Sequence, residues 1–214
     1  MVKAEHKRFR ILNVITSHIT NNLREYIVVS IMFLVGVFIG VLFLNNAKDE
    51  QKEEISSYIN NYVSQTKEGN NVSTTDGLVD NLKDNFLLAL GLWFAGTTLI
   101  GIPIVFGIIL FRGFCLGYTI SALTYTMGLS KGFAFILISI VLQNILFIPA
   151  IIALGVSGIK LYKSIIKDKR KENIKIGIVR HTVFSVMILL LLLLSAVIKV
   201  NISGGMIDGL IKYF

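Results

Sequence analysis

The residues with the most chemical potential are Gly155-Val156-Ser157-Gly158, followed in the next apolar run by His181. A serine among small residues becomes a nucleophile when a base stands within hydrogen-bond reach, which would suit hydrolysis inside a membrane. The same small residues are what two closely packed membrane helices need, and His181 adjoins Arg180 at the end of its run. Packing is therefore the expected role, and a Ser157→Ala variant is expected to keep its function. Gln143 and Asn144 are adjacent amides in an apolar stretch, where an unpaired amide is costly, so both should face other helices as internal glue or as the wall of a polar groove. Arg112 reads as a boundary cation reaching headgroups. Cys115, the single cysteine, reads as a small packing residue and excludes an internal disulfide.

Absences narrow the chemistry further. No Asp or Glu lies between Asp84 and Asp168, and no His lies between His18 and His181. Proton relays and intramembrane acid/base catalysis need such groups inside the bilayer. His6 and His18 are isolated and suggest no metal site. The expectation is a protein that is not an enzyme and has no cofactor, metal or catalytic residue.

The elements that must position these residues are apolar and long. At 54% hydrophobic, 16% charged and mean hydropathy +0.72, the 214 residues carry too little polar surface to cover a soluble globule. The net charge of +8 is segregated rather than spread. Residues 1–25 hold five Lys/Arg against two acids and residues 160–180 hold eight against two, whereas residues 45–85 hold four against eight. This pattern fits cytoplasmic retention of basic flanks and argues against a nucleic-acid partner.

In order, Ile11, Leu12, Ile15, Ile19, Leu23 and Tyr26 recur at helical spacing beside basic residues, which predicts a cytoplasmic amphipathic segment over residues 1–26. Residues 27–44 are long enough to cross a hydrocarbon core and should remain as a signal anchor. The pair Gly36 and Gly40 admits a neighbouring helix of this chain or a second copy, so a homo-oligomer stays open. Residues 45–85 form an acidic extracytoplasmic segment. Within it Ile55, Tyr58, Ile59, Tyr62 and Val63 follow the i, i+3, i+4, i+7, i+8 pattern of an amphipathic helix over 48–66. That stripe either caps the bundle or receives an extracytoplasmic partner.

Further spans are expected over 86–111, bent at Pro103, over 113–129, over 132–161, kinked at Pro149, and over 183–200. Trp93 is a candidate interfacial anchor. FRGFCLGY, Phe111 to Tyr118, is expected to be a tight cytoplasmic turn. An outside acidic segment and an inside basic segment need an odd number of crossings between them, so the middle stretch should cross rather than re-enter. The reading is an all-α polytopic membrane bundle with five transmembrane helices, N-terminus in and C-terminus out. Residues 201–214 would turn at Gly204-Gly205 and lie on the outer leaflet as an interfacial tail.

FRGFCLGY and the later LQNILFIPAIIALGVSGIKL, Leu142 to Leu161, resemble the stage II sporulation protein M family. Gly113, Phe114 and Gly117 match its N-G-F-x-x-G-like element, with Arg112 in place of Asn. Pro149 and Ala150 match the end of its P-H-G-x-x-E-x-P-A element. Gln143 and Asn144 fall near Pro-His there, and the expected glutamate is missing. The resemblance implies a multi-pass protein of the mother-cell membrane at the sporulation septum, supporting engulfment of the forespore. It would anchor the peptidoglycan-degrading stage II sporulation proteins D and P. The alternative reading is a permease or lipid-handling component built on Pro103, Pro149, Gln143 and Asn144 around a polar broken-helix cavity.

Overall fold

A computed structural model describes residues 16–67, 74–98, 101–128, 142–167 and 171–211. After a short helical turn over 16–20, six long helices follow: α1 (Leu23–Asn45), α2 (Asp49–Lys67), α3 (Thr74–Thr97), α4 (Gly101–Met127), α5 (Leu142–Lys167) and α6 (Lys171–Ile211). Within the described residues, four stretches are long and apolar enough to cross a membrane: Leu23–Asn45, Gly101–Met127, Asn144–Ile166 and Ile174–Ile198. Their outward faces are apolar as lipid demands, with Leu34, Phe38 and Leu190 each more than 60% exposed.

The helix directions follow from their side-chain contacts. Lys163 near the end of α5 pairs with Glu25 at the start of α1, Nζ to Oε1 2.5 Å, and thereby marks one basic end of the bundle. Asn85 of α3 meets Leu192 of α6 while Trp93 meets Thr182, so these two helices are antiparallel. Successive residues of α1 meet successive residues of α4, so that pair is parallel. Val29, Leu92, Ile109, Ile151, Leu154 and Leu192, all fully buried, join α1, α3, α4, α5 and α6 in one core. Lipid tails are as apolar as these side chains, so close packing rather than removal from water holds the helices together.

The expected turn at FRGFCLGY does not exist, because α4 runs unbroken from Gly101 to Met127. The chain reverses earlier, between Thr97 and Gly101. There Thr98 Oγ1 donates to the Ala95 carbonyl at 3.0 Å and the Gly101 N–H donates to the Thr98 carbonyl at 3.1 Å. A Cβ on Gly101 would overlap the Ala95 carbonyl oxygen, so this position requires glycine. Pro103 sits in the first turn of α4, where its missing N–H has no intrahelical partner to lose. The stretches 86–111 and 113–129 are thus replaced by α3 and α4. The apolar run left to α3, residues 86–97, spans only about 18 Å at 1.5 Å per residue.

Other boundaries move as well. Helix α5 begins at Leu142 and passes through Pro149 without interruption, and residues 129–141, including Lys131, lie outside the described residues. Helix α6 continues through Gly204-Gly205 to Ile211, so no turn separates a tail there. Residues 1–15, which hold most of the basic N-terminal pattern, also lie outside the described residues. His18, outside the spans, donates to or accepts from Tyr26 Oη at 3.1 Å and stacks on Phe184 at 5.1 Å. Burial, with Lys160 nearby, holds its imidazole pKa below the ordinary histidine range.

Candidate functional site

Among the described residues, helices α1 and α4 make the most extensive pairing, and glycines allow it. Cβ atoms on Gly36 and Gly40 would overlap the carbonyl oxygens of Leu110 and Phe114. Cβ atoms on Gly113 and Gly117 would overlap those of Phe33 and Val37. Each helix therefore presses a G-x-x-x-G face onto the other's backbone. Phe114 packs on the α1 side of this seam, its ring 5.5 Å from Phe43 and 6.1 Å from Tyr118. At the end of α1 remote from Glu25, Ser121 Oγ donates to Asn45 Oδ1 at 3.2 Å and closes the pair.

Helices α3, α5 and α6 converge on a second crossing. A Cβ on Gly96 would lie 2.7 Å from His181 Nε2 and 2.9 Å from Gly158 Cα. Ser157 Oγ and His181 Nδ1 share a hydrogen bond of 2.8 Å, both buried. The suspected pair is thus within reaction distance, but its setting differs from a working dyad. His181 Nε2 is buried and finds no partner of good hydrogen-bond geometry, although the Trp93 backbone stands near. A base oriented by a third group and open to substrate is what nucleophilic catalysis needs. Ser157 and His181 border neither of the two clefts described below. Trp93 is also part of this crossing, donating from Nε1 to Thr182 Oγ1 at 3.1 Å.

Away from that crossing the bundle opens into a polar cleft of about 190 Å³. Its walls come from α3 (Asp84, Asn85), α4 (Arg112, Cys115), α5 (Asn144) and α6 (Ser195). Asn144, Asn85 and Ser195 stand 14, 11 and 14 residues along their helices from Gly158, Gly96 and His181. At 1.5 Å per residue the three counts put the cleft about 17–21 Å from the crossing. Asn85 Nδ2 donates to the Leu192 carbonyl at 2.8 Å, which ties α3 to α6 at the cleft wall. The Arg112 guanidinium lies 5.7 Å over the Phe147 ring, and among the described residues it pairs with no carboxylate. The boundary role expected for Arg112 is corrected, since it sits twelfth in a 27-residue helix, far from either end.

A second, wider cleft of about 550 Å³ shares Asp84 and Arg112 with the first. It is otherwise lined by Leu87, Leu88, Gly91, Gly107, Ile108 and Phe111 between α3 and α4.

Comparison with known protein families matches residues 29–204 to stage II sporulation protein M. The chain belongs to that family. No curated protein and no solved structure matches it. Within this family member the two motif stretches lie far apart in role. Gly113, Phe114 and Gly117 serve the α1–α4 seam, whereas Arg112, beside them in sequence, faces the cleft with Asn144. Pro149 is exposed and Ala150 buried, and neither borders a cleft. Gln143 lies in the first turn of α5.

The apolar stripe of α2 is divided. Ile59 of α2 packs with Leu123, Ile120 and Met127 at the end of α4, and Ile55 and Val63 are half-buried. Tyr58 is 76% exposed and Tyr62 is 44% exposed. Sequence periodicity found the stripe but could not divide it, and it missed Asp84 and Asn85 as cleft residues. Their signal was the short apolar run of α3, which leaves polar residues within the bundle.

Proposed function

We propose that this sporulation-related membrane protein is a non-enzymatic scaffold that holds peptidoglycan-degrading proteins at the septum during engulfment. Family membership carries the proposal. The division of α2 supports it: one edge rests on the bundle, and the other offers two tyrosines outward on an acidic helix. The segregation of charge supports an orientation with the basic end in the mother-cell cytoplasm and α2 outside, facing the wall and the stage II sporulation proteins D and P. In that orientation five helices pass through the bundle with the N-terminus in and the C-terminus out. Tethering acts by raising the local concentration of a hydrolase without new chemistry.

Exposed tyrosines are frequent anchors of interfaces, and loss of a strong one weakens binding by about tenfold or more. Replacing Tyr58 and Tyr62 with Ser should therefore cut co-purification of the wall hydrolase by about that factor while leaving membrane insertion intact. Ile59 is left in place because its loss would also disturb the bundle. Undiminished co-purification from sporulating cells would count against this surface, and normal engulfment in a deletion strain would count against the role itself.

The permease or lipid-handling alternative draws its support from the polar cleft. Pro103 and Pro149, which it requires as breaks, are both exposed, and α5 continues through the second of them.

A further inference from the structure

We propose that the paired clefts hold one zwitterionic phospholipid with a primary ammonium headgroup, its phosphate on Arg112 and its ammonium near Asp84. The inference does not depend on the scaffold reading, because it concerns a different face of the molecule.

Charge balance comes first. A guanidinium about 16 Å along α4, in a helix that otherwise carries no charge, is expensive in hydrocarbon unless an anion or water meets it. Arg112 has only the Phe147 ring as a described partner, and its five N–H donors suit a phosphate. Asp84 lines the same two clefts. A singly anionic headgroup would satisfy Arg112 and be repelled by Asp84. A headgroup carrying both signs satisfies the two together.

The chemistry of the acceptors selects the ammonium. The carboxylate of Asp84 and the amide oxygen of Asn85 can accept hydrogen bonds from a primary ammonium. A quaternary ammonium has none to give and prefers an aromatic cage. The two clefts offer only Phe147, which already faces Arg112, and Phe111 among their lining residues, too few rings for a cage.

Shape then separates a lipid from a soluble phosphate. The polar cleft does not stand alone, because at Asp84 and Arg112 it joins the apolar cleft between α3 and α4. Gly107 leaves that surface open, with nothing within 4 Å of a Cβ placed on it, and Gly91 meets only the tip of Ile108 at 3.8 Å. A headgroup site continuous with an apolar groove fits an amphiphile whose acyl chain lies along α3 and α4.

The test is native mass spectrometry of the full-length protein in detergent micelles, titrated with phosphatidylethanolamine, phosphatidylcholine or phosphatidylglycerol. The expected result is a single phosphatidylethanolamine adduct formed at least tenfold more tightly than either other lipid. Arg112→Gln should remove that preference, and Asp84→Asn should remove it while improving phosphatidylglycerol binding. Gly107→Phe should weaken the lipid adduct by filling the groove. Soluble phosphoethanolamine should fail to compete. Equal binding of all three lipids, or a preference that survives both charge substitutions, would overturn the proposal. Full competition by phosphoethanolamine would overturn the lipid claim and leave a soluble-phosphate site. If Arg112→Gln does not fold, the exposed Asp84→Asn variant and the lipid series still decide the matter.

Discussion

At the residue scale, proximity and chemistry part company at Ser157 and His181. Their 2.8 Å hydrogen bond has the length a nucleophile and base would need, yet both residues are buried and Gly96 packs directly against His181 and Gly158. The bond instead fastens α5 to α6. Such a bond contributes about 0.5–1.5 kcal/mol, and removing the serine leaves Nδ1 without its partner. Ser157→Ala is therefore expected to lower stability by about 1–3 kcal/mol, read as a lower detergent melting temperature, while engulfment and hydrolase recruitment persist. Complete loss of function in a variant that folds normally would restore a catalytic reading. The sequence supplied the pair but not its surroundings, because nothing in the spacing of Ser157 and His181 reveals that a glycine of α3 would seal them. Arg112 was hidden for a related reason. A lone cation in an apolar run looks like a run boundary until the glycines on either side of it are seen to continue the helix.

At the element scale, the decisive feature is the α1–α4 seam. Gly36 and Gly40 read as a close-approach motif from sequence alone, and the two candidate partners were this chain or a second copy. The partner is α4, through Gly113 and Gly117, so this face is occupied within the chain. Glycine normally weakens a helix, so the glycine and aromatic residues around Arg112 read naturally as a tight turn. Packing against backbone carbonyls reverses that preference and permits short Cα–H···O contacts along the seam. Replacing Gly117 by Leu should destabilise the bundle by about 1–3 kcal/mol or more, since the Val37 backbone cannot give way as a flexible side chain would. Gly107→Ala, on the same helix but facing open space, should be neutral or gain up to about 1 kcal/mol from helix propensity. Thermal melts of the two variants in detergent separate a packing seam from a general intolerance of α4 to larger residues. Equal melting temperatures would remove the seam as the principal support of the pair.

At the scale of the whole molecule, charge segregation calls for an odd number of passages between the acidic and basic segments but does not say where each passage begins. Four helices among the described residues are long and apolar enough to cross, and α3 is not one of them; the division expected at Arg112 lies at Thr97–Gly101 instead. The shifted division has a consequence: α3 brings only residues 86–97 as an apolar run, and its acidic, amide-bearing upper half enters the bundle beside Arg112. The expected consequence is that water follows Asp84 inward from the end that carries α2. Cys115 reports on this directly, because it is the single cysteine, is partly exposed, and lines the polar cleft next to Arg112. In sealed protoplasts a membrane-impermeant maleimide is expected to modify Cys115 from outside, and in inverted vesicles the same reagent should fail until detergent is added. Phosphatidylethanolamine in the cleft should slow the reaction, and Arg112→Gln should abolish that protection. Labelling from the cytoplasmic side alone would reverse the orientation of the whole bundle, and labelling from neither side would close the route by which water reaches the cleft.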